Sequence, residues 1–408
     1  MKYQITKLAA LIIFISAFFA VVACSTQTVR IVDMTPPKQL AESLPEEELL
    51  DIGISIFKAN VPDNYDDRIE QIISPEIRRA EAQYIPYIAK NLIQSSGNWG
   101  AVRVIPRPSL AVDIIVSGEI IESTGESLEL KISVHDATGR KWYSKAYSAL
   151  ASKYAYEDSF PKDVDAFQSI YKQITDDLLD YRLELSETDV KHIRAVAEMR
   201  FARGFSSDAF GDHVSQNEVG EYQLTRLPSE DDPMLVSVRK VREREYLFID
   251  TIDEYYANFQ RNVYPTYQVW RKASYVDMIT YKKLQTQAKN RIIGGAIGLV
   301  GSVGTIYASD DWAADTSGIA GVIGSATVIK KAISKKNEAE QYAERLRELA
   351  GETERELVPT TIELENRTVK LQGSVEEQYV ELRSVLKELY YEDLGLSPPS
   401  KKADALFD

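Results

Sequence analysis

Two apolar segments marked by regularly spaced glycines constrain the fold of this chain more than any other feature. They lie within residues 291–331, which we call the glycine segment. Its first arm, residues 292–308, has seventeen residues without a charge, and its second arm, residues 316–329, has fourteen. At a rise of ~1.5 Å per residue, either arm would be shorter than the ~30 Å hydrocarbon core of a bilayer. Because three aspartates separate the arms, the pattern predicts two antiparallel helices joined at an acidic tip.

The glycines themselves predict close helix packing. Each glycine costs a helix about 1 kcal/mol relative to alanine, so the segment needs a compensating contact. Small residues spaced three or four apart let helices approach closely. The positions concerned are Gly294, Gly295, Gly298, Gly301, Gly304, Gly318, Gly321 and Gly324. The pattern resembles the glycine zippers of some outer-membrane lipoproteins. Three interpretations stay open: a hairpin in or on a bilayer, a hairpin packed in a protein core, and a ring of hairpins lining a pore.

The first 23 residues have the composition of a secretory signal peptide. Lys2 and Lys7 precede an apolar run that ends in small residues before Cys24, the single cysteine of the chain. The residues "VVAC" resemble the lipobox of bacterial lipoproteins. That resemblance implies cleavage before Cys24 and its modification with acyl chains, palmitate among them. Ser25 stands where an aspartate would retain such a protein in the inner membrane, so we expect the periplasmic face of the outer membrane.

The composition excludes some partners. The net charge is −14, and loss of residues 1–23 would remove two lysines and no acidic residue. Nucleic acids and anionic headgroups repel such a chain, so no nucleic-acid partner is expected. We expect membrane attachment through the acyl chains and through apolar surface. With one cysteine the chain cannot form an internal disulfide, so its stability depends on a packed core.

Residues 50–182 predict an α+β domain. Apolar residues alternate with Glu129, Lys131 and Ser133, which is the pattern of a strand with one buried face. The elements follow the order β-α-β-β-β-β-α, and glycine-bearing turns between the last strands predict an antiparallel meander in a small sandwich. Pro75 and Gly97 are expected near the start and the end of the first helix.

This region resembles a known family. The strands "VDIIVSGEI" and "LELKISVHDATGRKWYSKAYS", followed by an amphipathic helix, are similar to the TolB N-terminal domain. Similar domains occur in the curli secretion lipoprotein CsgG and in lipoprotein activators of penicillin-binding proteins. The resemblance implies an envelope scaffold or assembly factor and brings no catalytic motif.

Residues 186–290 predict a helical domain. Ser186 and Asp189 have the spacing of a capping box. A seam for a helix pair or coiled coil, interrupted by Glu245, comprises Val238, Val241, Phe248, Ile252, Tyr255 and Phe259. Pro265 is expected to break or kink this helix. A second helix then leads into the glycine segment, with Tyr267, Trp270, Val276, Ile279 and Leu284 as its apolar residues.

Residues 332–396 predict a charged helix, a β-hairpin and a further helix. We place the hairpin turn at Asn366–Arg367. The run "VKLQGSV" and the helix after it resemble half of a BON domain, a periplasmic module linked to membrane attachment. Residues 24–48, a lipidated tether, and residues 397–408, a tail, show little periodicity and are expected to be disordered.

The chain shows no arrangement typical of a catalytic or metal site. Its three histidines, His135, His192 and His213, lack the spacing of metal ligands. Ser206 and Asp208 lie near His213, but sequence proximity does not define a triad, and we interpret this stretch as a polar loop. No phosphate-binding loop or nucleophile motif is present. We expect no enzyme activity and no cofactor.

These features together predict a lipid-anchored, non-catalytic scaffold of the cell envelope. Its partners would be the membrane, other envelope proteins and, in one arrangement, further copies of itself. The alternatives are a ring- or pore-forming export component similar to CsgG, and an activator of a cell-wall enzyme.

Overall fold

The computed structural model describes residues 32–70, 73–162, 164–302, 361–364, 367–371 and 373–397. The predicted signal peptide and most of the glycine segment lie outside these residues. So do the predicted sites Cys24, Gly304, Gly318, Gly321 and Gly324. The described residues form an α+β fold, as the sequence predicts.

The first part of the chain forms a five-stranded sheet. Its strands are β1 (Ile52–Ser55), β2 (Val102–Ile105), β3 (Ile114–Ser123), β4 (Ser127–Asp136) and β5 (Lys141–Leu150). Their order is β2-β1-β3-β4-β5, and β1 runs parallel to both of its neighbours. The last three strands form the predicted antiparallel meander. The predicted alternation holds on β4, where four apolar side chains are buried and Lys131 between them is exposed.

Two helices, α2 (Pro75–Ser95) and α3 (Gln168–Glu184), cover the buried face of this sheet. A short helix, α1 (Tyr65–Glu70), precedes α2. Pro75 is the first residue of α2, and Gly97 follows that helix with a φ of 70°, which glycine adopts without strain. The hydrophobic core of this part joins the sheet to α2 and α3.

The rest of the described chain is mainly helical. Its helices are α4 (Glu187–Phe205), α5 (Ser207–Phe210), α6 (Pro233–Ser302) and α7 (Val375–Asp393). Two small hairpins add strands β6 (Val214–Gln216), β7 (Tyr222–Leu224), β8 (Thr361–Leu364) and β9 (Arg367–Lys370). The capping box at Ser186 and Asp189 is confirmed. The hairpin β6–β7 was not predicted, because the sequence shows only a polar stretch there. In the hairpin β8–β9, Arg367 is already the first residue of β9, so the prediction of a turn at Asn366–Arg367 was wrong.

The long helix α6 continues through Pro265, so the helix does not break at this residue, and the alternative of a kink stays a prediction. Proline removes one backbone hydrogen bond from a helix interior. Val263 and Tyr267 on either side are almost fully buried, with 0% and 1% of their surface exposed. Packing on both sides of the proline therefore favours the continuous helix.

Helix α6 takes part in both hydrophobic cores. Phe259, Val263 and Tyr267 join the core of the sheet, whereas Val238, Val241, Phe248 and Ile252 pack in a second core with α4 and α7. Five of the six predicted seam residues are buried, and Tyr255 is partly buried. Helix α7 runs antiparallel to α6, since Tyr379 stacks on Phe248 and Arg383 lies near Glu245.

The segment before β1 is packed rather than disordered from Val32 onward, so the prediction of a disordered tether was wrong for this part. Val32 is buried in the first core. The Lys38 amide donates to Asp176 on α3 over 2.7 Å, and its ammonium group lies 2.7 Å from Asp180. Because the carboxylates of α3 hold this segment, it covers one side of the helix.

Candidate functional site

Four of the predicted glycine sites lie on α6. Gly294, Gly295, Gly298 and Gly301 belong to the last turns of this helix, which enters the glycine segment without an interruption at residue 291. The helix has 70 residues, and at ~1.5 Å per residue its length is about 105 Å. Among the described helices, none combines the length and the hydropathy that crossing a bilayer requires.

A buried arginine holds α6 where the helix leaves the sheet domain. The Arg271 side chain is 0% exposed, and its Nη1 atom lies 2.6 Å from Oδ2 of Asp165. The guanidinium group also lies over the rings of Phe167 and Tyr267, at 5.0 and 4.3 Å from their centroids. Burial opposes the charge of Arg271, but Asp165 and the surrounding tyrosines raise its pKa above the ordinary value. The arginine therefore remains charged inside the fold.

A buried carboxylate lies beside this ion pair. Glu81 on α2 accepts hydrogen bonds from the hydroxyls of Tyr267, at 2.6 Å, and Ser123. Arg78 lies 3.5 Å from the same carboxylate, and both residues are almost fully buried. Two carboxylates and two arginines from α2, α6 and the segment before α3 thus meet around one turn of α6. We call Arg78, Glu81, Asp165, Tyr267 and Arg271 the exit cluster.

The turn between β3 and β4 packs closely against α6 next to the exit cluster. A Cβ atom on Gly125 would lie 2.0 Å from the carbonyl oxygen of Arg271 and 2.3 Å from the amide nitrogen of Tyr275, so only glycine fits. Gly125 also donates its amide to the Ser274 hydroxyl at 3.0 Å. Next to it, Glu126 forms an ion pair of 2.7 Å with Lys282. The turn therefore fixes more than two turns of the helix to the sheet.

A second group of buried charges holds the first part of α6. Glu245 is 0% exposed and accepts hydrogen bonds from Ser109, at 2.8 Å, and from Tyr379 of α7. Arg383 lies 3.7 Å from its other oxygen. The sequence marked Glu245 as an interruption of the apolar seam. In the structure, side chains from two distant segments donate hydrogen bonds to one of its oxygens, and among the described residues only Arg383 lies near the other.

Asp113 lies opposite Arg242, which precedes Glu245 by three residues on α6. Its Oδ1 atom is 3.8 Å from the guanidinium group, and its Oδ2 atom accepts a hydrogen bond from the amide of Asp51 at 2.9 Å. Arg242 donates instead to the carbonyl oxygen of Ala111 at short distance. Burial raises the pKa of Asp113 to about 6, although Arg242 opposes this shift. Together with Glu245 and its partners, these residues form what we call the seam cluster.

The candidate catalytic residues are not assembled into a site. Asp208 is exposed, and Nδ1 of His213 lies 3.1 Å from the carbonyl oxygen of Arg226. Among the residues that the structure describes, no group of three or more histidine, cysteine or carboxylate side chains is arranged to hold a metal ion. A cavity of about 50 Å³ lies beside Ser109 and Arg200. This volume suits a few water molecules, whereas pockets for organic ligands measure ~300–1,000 Å³.

Comparison with known proteins identified no homologue. No protein family, curated protein or solved structure matches this chain. The resemblances to the TolB N-terminal domain, to CsgG and to half of a BON domain therefore stay predictions. The buried charges at α6 were missed by sequence reasoning, because nothing in the local pattern distinguishes Arg271 from the exposed Lys272 beside it.

Proposed function

We propose that this protein is a non-catalytic scaffold on the periplasmic face of the outer membrane, attached through acyl chains on Cys24. The observation that carries the proposal is the continuous helix α6, which is fixed to the sheet domain and leads into the glycine segment. A scaffold needs a rigid connection between its attachment points, and this helix supplies one.

The rigidity of the connection follows from its chemistry. The exit cluster buries two carboxylates and two arginines, and removing any one of them would leave a partner charge uncompensated. Rotation of α6 against the sheet would also separate Gly125 from the helix backbone. The helix therefore moves together with the sheet domain as far as Lys282, which is paired with Glu126.

The lipid anchor is tested by replacing its cysteine. We expect Cys24→Ala to move the protein out of the outer-membrane fraction after a high-salt wash, while the folded part stays protease-resistant. Mass spectrometry of the wild-type amino terminus should find acyl chains on Cys24. Normal processing of Cys24→Ala together with outer-membrane retention that resists high salt would contradict the proposal.

Two further measurements separate the scaffold from the alternatives. Electron micrographs of the detergent-extracted wild-type protein should lack closed rings, which an export channel similar to CsgG would show. Deletion of the gene should leave the peptidoglycan crosslinks unchanged, since an altered crosslinking pattern would favour an activator of a cell-wall enzyme.

A further inference from the structure

We propose that residues 269–291 of α6 form a second membrane contact, in which the exposed face of Val269, Val276 and Ile279 and the basic composition of this stretch favour anionic phospholipid headgroups beside the lipid anchor. The proposal rests on the proposed function, because acylation of Cys24 supplies the first contact. It assigns a lipid partner to a part of the protein outside the glycine segment.

The first step is the direction of the segment that leads from the anchor. Asp33 lies 3.6 Å from Lys172, near the start of α3, and Lys38 contacts Asp180, near its end. Gln39 then donates to the carbonyl oxygen of Ser95, at the end of α2. The segment therefore runs along α3 from its start towards its end, and the anchor side is at the start of α3.

The second step is that α6 leaves the body at this same end. Asp165 and Phe167, which precede α3, hold Arg271 at 2.6 Å and 5.0 Å. Lys172 follows Phe167 by five residues, or ~7.5 Å along a helix. Consistently, α2 runs antiparallel to α6, because its early residue Glu81 contacts Tyr267 whereas its later residue Lys90 contacts Asp253. The anchor segment enters the body at the end where α6 leaves.

The third step is the reach of the tether. Residues 24–31 are eight residues between the acylated cysteine and the packed Val32. A chain spans at most ~3.3–3.6 Å per residue, so these residues reach no further than about 29 Å in any conformation. This end of the body is therefore held near the headgroups.

The fourth step is the chemistry of the helix at this end. Val269, Val276 and Ile279 are 52%, 54% and 42% exposed, so three apolar side chains of this helix face away from the core. Lys272 is exposed among them, and spacings of three and four residues place these side chains on one face. An apolar face with basic residues is typical of helices that lie in the membrane interface.

Charge distinguishes this part from the rest of the chain. Residues 272–291 contain five basic residues and one acidic residue, in a chain with a net charge of −14. Lysines and arginines next to a membrane are attracted by anionic lipids. The overall acidity predicts repulsion from such lipids, but this local excess of positive charge reverses the expectation near the anchor. The same excess opposes pairing of this face with the identical face of a second copy.

The test uses the mature-length protein with Cys24→Ala, so that acyl chains do not contribute. Its flotation is measured with vesicles of phosphatidylcholine alone and of phosphatidylcholine mixed with phosphatidylglycerol, at low and at high salt. We expect binding to the anionic vesicles that weakens with salt. Lys272→Glu/Lys283→Glu should reduce this binding by at least roughly tenfold.

The matched control is Lys191→Glu/Lys240→Glu, which changes the net charge equally at two exposed lysines on α4 and on the first part of α6. This control should bind as the parent does, and thermal melting of both variants should match the parent. Absence of parent binding to anionic vesicles, or equal loss in both variants, would overturn the proposal. So would salt-insensitive binding to phosphatidylcholine alone, or a dimer that depends on Val276 and Ile279. An unacylated Cys24 in cells would instead refute the proposed function, which the vesicle assay does not measure.

Discussion

The two clusters that hold α6 bury charge in different ways. In the exit cluster, Arg271 and Asp165 form a direct ion pair of 2.6 Å between almost fully buried groups. In the seam cluster, the arginines stay at 3.8 Å from Asp113 and 3.7 Å from Glu245. The nearest partners of these two carboxylates are hydroxyl and amide donors, among them the hydroxyls of Ser109 and Tyr379.

This difference gives the seam cluster a carboxyl group that responds to pH, because Asp113 has no arginine at the short distance of the Arg271–Asp165 ion pair. A buried carboxylate without such a partner favours its protonated form, and Asp113 shows this in its raised pKa. The sheet end of α6 is thus fixed, whereas the part near α7 contains a group that takes up a proton under mildly acidic conditions.

The largest effect is expected from Arg271→Met. This change leaves Asp165 buried without its cation, and we expect the free energy of unfolding to fall by ~3–5 kcal/mol. Denaturation in urea measures it. The double variant Arg271→Met/Asp165→Asn should recover at least half of the loss, because the uncompensated charge is then gone.

Lys272→Met is the matched control for this prediction, since Lys272 is the exposed neighbour of Arg271. It should change stability by less than ~0.5 kcal/mol. If Arg271→Met were no more destabilising than this control, the contrast between the two clusters would be lost.

The second prediction concerns the pH response of the seam cluster. The pKa of Asp113 rises from 3.8 to about 6 on folding, so this residue keeps its proton longer in the folded than in the unfolded state. Its contribution to stability is complete below about pH 4 and is lost as the pH rises through about 6. We expect the difference in unfolding free energy between wild type and Asp113→Asn to fall by ~3 kcal/mol between these limits.

Urea denaturation of both proteins across this pH range checks the prediction. The difference isolates Asp113 from the other carboxylates, which titrate in both proteins. The charged groups that act on it are Arg242, Asp51 and Arg194. A difference that stays constant with pH would show that burial does not shift this carboxyl group.

A smaller effect is expected from Gly125→Ala at the exit cluster. The new Cβ would collide with backbone atoms of Arg271 and Tyr275, which cannot move without displacing α6. Overpacking of this kind costs ~1–3 kcal/mol. Thermal unfolding measures the loss. Gly211→Ala is the control, because a Cβ there would meet nothing within 4 Å.

The smallest effect is expected from Tyr379→Phe in the seam cluster. The change removes one hydroxyl donor from Glu245, which keeps Ser109 as a partner, so we expect a loss of ~1 kcal/mol. Hydrogen exchange should show lower protection in α7, with α2 unchanged. The exposed Tyr154→Phe should have no effect. Equal protection of α7 in wild type and Tyr379→Phe would argue against a role for this hydrogen bond.

Much of the fold was predictable because its signals are local. Alternating apolar residues defined β4, and Ser186 with Asp189 defined the start of α4, since both patterns depend on neighbouring residues. The break at Pro265 failed for the opposite reason. The local cost of proline was right, but burial of Val263 and Tyr267 against the sheet domain outweighed it.

The functional glycine in the β3–β4 turn shows the same limit. The sequence identifies Gly125 as a turn residue, which it is. A side chain at this position is excluded mainly by the backbone of Arg271, which lies 146 positions later in the chain. The sequence therefore shows that a glycine lies in a turn, but only the structure shows that another segment packs against it and excludes a side chain.

The sequence by itself determined the α+β class, the meander of strands and the starts of α2 and α4, and it directed attention to Cys24 and the glycine segment. Only the tertiary structure decided which charges are buried, that α6 is continuous, and that the segment beginning at Val32 enters the body at the end where α6 leaves it. The apolar patterns that predict helices and strands involve residues that are close together in the sequence. The burial of a charge instead depends on partners such as Asp165 and Arg271, which are 106 positions apart and meet only after folding.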